Sequence, residues 1–283
     1  METFQKKVKD HLVIYAKNQN DLKNILGGIW RKNKYDHILI NKEKYKYNLL
    51  PDYRKSLDEY IRNRKNGIKL HSDAHHLNSS QIMCMNFFYP LICENKLSYI
   101  LNFINPNGQW GDVKHAAFEK ISDIDGKQRG ATNFDFFVET SNGYKIYFEI
   151  KYTENEFGRA KADKSHIAKW DKMYKSLIID SPILESNIID QKYFFKNYQI
   201  IRNSIHVQNS NKDYSIFLVP EATDYGKTTL YNKAKTVIEE VVKKESANHV
   251  QVLSWEKIIN VVENDPQLKG YYAEFKKKYL DFV

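Results

Sequence analysis

Apolar positions recur at helical spacing over residues 3–18 and again over 20–33, with Gly27-Gly28 as a break or turn inside the second stretch. A third helix is predicted from Pro51 to Arg64, since proline suits a first helical turn and Asn66-Gly67 suits the end. The segment SSQIMCMNFFYPLICEN is apolar on nearly every side and predicts a buried helix opening at Ser79 or Ser80. Pro90 should disturb its later turns.

From Asn107 the pattern changes. DVKHAAFEKIS (112–122) predicts a helix, whereas NFDFFVE (133–139) and YKIYFEIKY (144–152) carry the aromatic and β-branched residues of strands. Ser141-Asn142-Gly143 between them is a hairpin turn. Helices are expected over 165–178 and 191–208, and YSIFLVPEA (214–222) is an apolar strand stopped by Pro220. A helix over 229–244, a strand over 249–253 and two terminal helices follow. The chain thus divides into a mainly helical region, 1–106, and an α/β domain, 107–283, with a mixed sheet flanked by helices. There is no internal repeat, low-complexity tract or flexible linker.

Composition adds little to this but excludes much. Hydrophobic residues at 42% and charged residues at 28% describe an ordinary globular protein. No apolar run is long enough to span a bilayer, and the N-terminus lacks the apolar stretch of a signal peptide. A cytoplasmic protein without a membrane partner is expected. Cys84 and Cys93 both sit in the apolar helix, which points to reduced thiols rather than a disulfide framework or a zinc site. Most of the 20 Tyr and 15 Phe belong to the core, and some could stack on bases.

The net charge of +9 is unevenly spread: residues 1–70 hold 17 Lys and Arg against 8 Asp and Glu, and the remainder holds 27 of each. A polyanion partner for the N-terminal region is the natural physical reason, and a Lys-rich solvated surface is the equal alternative. Dimerisation is a further possible use of this region.

The hairpin carries the candidate chemistry. Side chains alternate along a strand, so Glu149 and Lys151 share a face. With the turn centred on Asn142, Asp135 pairs with Glu149, bringing their Cβ atoms to roughly 5 Å. Two such carboxylates repel unless neutralised, and an all-oxygen pair suits Mg²⁺ or Mn²⁺. Lys151, one strand-step away, would hold and polarise a water for attack on a phosphate. Phe134, Phe136, Val138, Ile146, Phe148 and Ile150 should face the core. Charged residues on one face of a hairpin are also often no more than its solvated side.

FDFFVETSNGYKIYFEIK resembles the core motif of the PD-(D/E)XK, or restriction-endonuclease-like, nucleases. The resemblance covers roughly 112–222, and the wider stretch with HSDAHHLNSSQ, NFFYPLI and EIKYTENEFG is similar to a bacterial branch of that superfamily. It implies that Asp135 and Glu149 bind the metal and Lys151 activates water. Glu119, on the predicted preceding helix, corresponds to the extra metal-binding Glu, and Ile150 is a further contributor to the metal site. It also implies Mg²⁺-dependent hydrolysis of DNA, favouring the duplex, in a restriction or other host-defence setting, with a homodimer for cutting both strands. The rivals are a catalytically silent nucleic-acid-binding module on the same fold, and a nuclease for RNA or branched DNA. Phe134 stands where the motif has Pro, and only about 124–132 is left for the strand that often precedes the Asp strand.

Other constellations are weaker. His71, Asp73, His75 and His76 form a cluster that could hold zinc, but Asn78-Ser79-Ser80-Gln81 signals a helix start and makes it loop and cap. Glu154 and Glu156 read as loop carboxylates closed by Gly158. Lys161, Lys164, Lys169, Lys172 and Lys175 suit either a phosphate backbone or a solvated helix face. Gln199 and Arg202 are expected at the surface. Gly226-Lys227-Thr228 is not a phosphate-binding loop, because Glu221 replaces the first glycine such a loop needs.

Overall fold

The computed structural model describes residues 3–125, 130–221 and 229–282. Gly226-Lys227-Thr228 and residues 126–129 of the 124–132 stretch lie outside them. Helix α1 (Phe4–Lys17) opens on Thr3, whose hydroxyl accepts the Lys6 N–H, and buries Val8, Leu12, Tyr15 and Ala16 at helical spacing.

The expected helix over 20–33 is instead a hairpin of β1 (Leu26–Trp30) and β2 (Asn33–Leu39). Its glycines decide this. Gly27 has φ of +90° at a bulge in the ladder, and a side chain on Gly28 would run into the Leu39 carbonyl. The two-residue turn, Arg31-Lys32, holds both residues at positive φ (47° and 70°). That is the conformation of a type I′ turn, normally filled by Asn-Gly.

After α2 (Arg54–Arg62) comes α3 (Ser80–Cys93), started by Ser79. It is buried along nearly its whole length, and Pro90 does not interrupt it. Proline frees the Asn86 carbonyl that a residue-90 N–H would have bonded. The Tyr271 hydroxyl takes that carbonyl at 2.7 Å and the Tyr272 hydroxyl takes the Phe87 carbonyl at 2.8 Å. Both tyrosines come from the last helix, so the kink-prone turn is repaired from 185 residues away. A short α4 (Ser98–Ile104) follows.

Residues 112–122 are a strand, β3 (Val113–Ile121), and not the expected helix. Ala116, Ala117 and Lys120 favour helices locally, but β3 closes one edge of a sheet and its ladder to β4 (Asn133–Thr140) overrides that preference. β3 is therefore the strand before the Asp strand. β4 pairs antiparallel with β5 (Lys145–Ile150), and β5, β6 (Asp213–Val219) and β7 (Val250–Ser254) run parallel, in the order β3-β4-β5-β6-β7. The helices α5 (Lys164–Lys169), α6 (Lys175–Ile179), α7 (Gln191–Lys196) and α8 (Tyr198–Ser204) make the crossover from β5 to β6. The expected 191–208 helix is thus two, divided at Asn197. Helix α9 (Leu230–Val241) links β6 to β7, and α10 (Trp255–Val262) and α11 (Lys269–Tyr279) end the fold.

Each sheet face has its own core. Phe136, Phe148, Ile216 and Leu218 pack with α3, where Phe88 stacks on Phe136 at 4.1 Å. Phe217 and Val219 face a second cluster with Trp170, Phe194, Ile201 and Ala234. The first cluster also joins Val8 and Leu12 of the N-terminal helix to Tyr272 and Phe275 of the last. This mixed sheet flanked by helices is a restriction-endonuclease-like α/β fold, and among the described residues no helix is long and apolar enough to cross a membrane.

His206, just past α8, ties the helical layer to the end of β3. Its Nδ1 lies 2.9 Å from the Arg202 carbonyl, which only accepts, so Nδ1 donates and Nε2 accepts the Ser122 hydroxyl at 2.6 Å. Burial holds the imidazole neutral, with its pKa down at about 4 from 6.5. The unfolded chain takes up the proton first, so this contribution is complete above pH 6.5 and is lost as pH falls towards 4. The loss is on the order of 3 kcal/mol. Urea unfolding of His206→Gln should show a correspondingly flatter dependence between pH 7 and 4. Parallel curves for the two proteins would rule the histidine out.

Candidate active site

The β4–β5 ladder pairs Phe136 with Phe148 and Val138 with Ile146, a register that sets Asp135 opposite Glu149 when carried one residue further. On its other side β4 pairs Phe136 with Phe118 and Phe134 with Lys120, leaving Asp135 across from Glu119. Three carboxylates therefore stand side by side on adjacent strands. Glu119 reaches this row from a strand and not from a helix, so its predicted element is corrected.

Glu119 has φ of +55°, a left-handed conformation rare for a residue of this kind. Beyond it the strand faces switch. Phe118 and Phe136 pack with α3, but Phe134 packs with Phe137, Tyr147 and His206 on the opposite face, 4.7 Å from both Tyr147 and His206. Phe134 thus departs from the expected core face, while Phe136, Val138, Ile146, Phe148 and Ile150 keep it. The Gln81 amide, at the start of α3, donates to Glu119 Oε1 at 2.7 Å, and Asn133 donates to Oε2. Gln81 also accepts the His71 N–H, fixing the loop before α3 to the same carboxylate.

A left-handed non-glycine residue costs about 1–2 kcal/mol. Glycine is therefore expected to outdo alanine at position 119 by about 1 kcal/mol in chemical unfolding, the reverse of the usual order in a strand. An alanine variant at least as stable as the glycine variant would show that the turn in the backbone is not strained.

Asp135 is buried. The Ile150 N–H donates to its Oδ2 at 2.6 Å, and no described residue bonds Oδ1. Desolvation, and then repulsion from Glu149, push its pKa well above the carboxylate range. Burial likewise raises Glu119. Ile150 keeps its side chain in the core and meets the site through its main chain.

Glu149 is 5% exposed and fully engaged. Lys151 Nζ lies 2.8 Å from Oε1, Gln199 Nε2 2.6 Å from Oε1 and Asn203 Nδ2 2.9 Å from Oε2. Burial disfavours the Lys151 charge, but Glu149, Glu154 and Asp135 outweigh it and hold the ammonium protonated. Gln199 and Arg202 are not surface residues: Gln199 touches the carboxylate, and Arg202 lies half-buried over the Tyr198 ring. Gln199 and Asn203 are four apart on α8 and so share a face, with Asn203 completely buried. Two amides one turn apart on α8, beside Ile200 and Ile201, were the available signal for them. Glu154 accepts the Ser80 hydroxyl and the Tyr152 N–H from the loop after β5.

The donor chemistry fits a hard divalent cation: carboxylate oxygens only, one of them unbonded, under mutual repulsion. Among the described residues no group of three or more acidic, His or Cys side chains is already arranged to hold a metal. Lys151 and the α8 amides supply the neutralising contacts to Glu149 in this arrangement. His71, Asp73, His75 and His76 lie in the segment ahead of α3, where His76 bridges to Ile38 of β2 and both His75 and His76 are buried.

No curated protein and no solved structure is significantly similar to the chain. A model of one family does match it, over residues 9–280, which takes in all the strands and every carboxylate of the site. The chain accordingly belongs to the REase-ARP family, the restriction endonucleases associating with ARP.

Proposed function

We propose that the protein is a Mg²⁺-dependent endonuclease that hydrolyses phosphodiester bonds of double-stranded DNA, with Mn²⁺ as a possible substitute, in a restriction or other defence setting. The observation carrying this reading is the row of Glu119, Asp135 and Glu149 on adjacent strands, with Lys151 just past the end of β5 and bonded to Glu149. Asp135 and Glu149 would hold the metal, with Glu119 assisting and the Ile150 main chain beside them. When bound, the cation would neutralise the carboxylates and polarise the scissile phosphate.

Lys151 hydrogen-bonds and orients the attacking water, and its charge faces the negative charge building on the phosphate. Gln199 and Asn203 keep Glu149 in one rotamer, so that its oxygens stay aimed along the strand end. Burial keeps bulk water from competing for these groups. The basic first 70 residues, including Lys42, Lys44, Lys46, Arg62 and Arg64, would grip the phosphate backbone without reading sequence. The exposed Lys161, Lys164, Lys172 and Lys175 would extend that grip. Cutting both strands calls for two copies of the chain.

The test is incubation with plasmid, single-stranded DNA and RNA, each with Mg²⁺ or with EDTA. Linear or nicked plasmid formed only with Mg²⁺ supports the reading. RNA cleavage alone would move the substrate, and no cleavage of any of the three would sink it.

A further inference from the structure

A pocket of about 380 Å³, the size of a small-ligand site, opens beside the strand end that carries Lys151. Its walls come from Gln5 and Lys9 of α1, the β1–β2 hairpin, the segment before α3 with that helix's start, and Thr153 and Glu154. Four rings meet there at their edges. Trp30 lies 6.1 Å from Tyr35 and 6.4 Å from His76, and His37 lies 5.6 Å from Tyr35 and 6.3 Å from His76. Arg31 covers part of the Trp30 ring at 4.3 Å, and the indole remains 38% exposed.

Two buried polar atoms of pocket-lining residues have no hydrogen-bond partner: Asn78 Oδ1 and His76 Nε2. His76 is only 9% exposed, and its nearest acid, Asp73, stands 3.9 Å away, beyond hydrogen-bond reach. Asn78 is already oriented, because its amide donates to the Thr153 hydroxyl at 2.8 Å. Leaving such atoms unpaired is costly, and a ligand edge that pairs both repays it. Asn78 Oδ1 needs a donor, while His76 Nε2 takes either role according to its tautomer.

A flat ring system with a hydrogen-bonding edge meets both demands. We propose that this pocket receives one unstacked nucleobase bearing an exocyclic amino group, adenine, cytosine or guanine but not thymine, from the strand held in the neighbouring site. Trp30 supplies the stacking surface, Asn78 accepts from the amino group, and His76 pairs with the adjacent ring nitrogen. The strained Arg31-Lys32 turn follows Trp30 directly in the chain, and Lys9 among the lining residues supplies a cation for a phosphate. This inference rests on the nuclease reading, because the base arrives on a substrate strand.

Trp30 makes the test direct, since Trp110, Trp170 and Trp255 are each at most 6% exposed. Indole fluorescence of the full chain in EDTA is followed on titration with dAMP, dCMP or dTMP, and with eight-nucleotide single strands of dA, dC or dT. Quenching should be several-fold tighter for the dA and dC strands than for dT, and tighter for strands than for mononucleotides. Asn78→Ala should erase the base preference. Trp30→Ala, on an exposed hairpin, should weaken labelled-strand binding by about tenfold, read by anisotropy. Equal quenching by all bases, or an unchanged preference in Asn78→Ala, would overturn the proposal, and mononucleotides as tight as strands would overturn its strand origin. Plasmid cleavage by the wild-type protein without base-dependent quenching would defeat the pocket alone. Base-dependent quenching without any cleavage would uphold the pocket's chemistry and defeat the nuclease reading.

Discussion

Lys151→Met is expected to lower phosphodiester cleavage by about 10²–10⁴-fold, the range for loss of a group that positions or protonates reacting atoms. Binding to uncut DNA should change little. Methionine fills the space of the lysine stem, so packing under Trp255, whose indole N–H donates to the residue-151 carbonyl, is retained. What goes is the ammonium 2.8 Å from Glu149 Oε1. Removing one partner of a buried pair costs on the order of 3 kcal/mol, because the other charge stays behind. Gln199 and Asn203 still hold that carboxylate, so the loss should fall at the low end. The double variant Lys151→Met, Glu149→Gln should recover stability in urea without recovering cleavage. Full activity in the single variant would remove Lys151 from the chemistry, and lost DNA binding would make its role affinity instead.

Asp135→Asn is expected to abolish the site's response to metal while stabilising the metal-free protein. In the wild-type protein Mg²⁺ should raise Tm, by about 2.7 kcal/mol of stability at one hundred times Kd. For a chain of this size that is about 5–10 °C. The asparagine variant should lose this rise together with cleavage, yet melt higher than wild type in EDTA at neutral pH. The sign follows from the raised pKa of Asp135, caused by burial and then by Glu149. An acid whose folded pKa is raised destabilises the fold as pH climbs from the ordinary carboxylate range through that folded value. Asparagine carries no charge to repel, and its carbonyl can still accept the Ile150 N–H that Asp135 accepts now. Differential scanning calorimetry with EDTA, Mg²⁺ and Mn²⁺ reads all three outcomes. An undiminished metal response in the variant would put the cation elsewhere.

The two variants probe one idea about the resting site. Lys151 acts there as an internal counter-ion for Glu149, and the α8 amides complete its hydrogen bonds. A cation entering between Asp135 and Glu149 would compete with Lys151 for Glu149 Oε1, releasing the ammonium towards the substrate. Loading the metal and arming the lysine would then be a single exchange of partners.

Where the pattern is local, the sequence determined the structure by itself. The β4–β5 hairpin with Asp135 across from Glu149, the opening of α3 at Ser79, and the apolar strand ending before Pro220 all follow from period-2 alternation, a capping hydroxyl and turn residues. The charge relation of Asp135, Glu149 and Lys151 follows from that register. Tertiary structure decided the rest. Residues 112–122 carry good helix formers, and the break in alternation at Glu119 hides the strand; only the ladder to β4 makes it one. Residues 20–33 show helical spacing, but two glycines and a positive-φ turn fold them back as a hairpin. Pro90 predicted a disturbed helix, and two tyrosine hydroxyls from α11 removed the penalty. Gln81, Gln199 and Asn203 are ordinary polar residues in sequence, and they became part of the site because α3 and α8 approach the sheet from its two faces. The difference is one of range: spacing and turn chemistry act within a few residues, whereas the partners of a buried carboxylate or a freed carbonyl are chosen by whichever distant element packs against it.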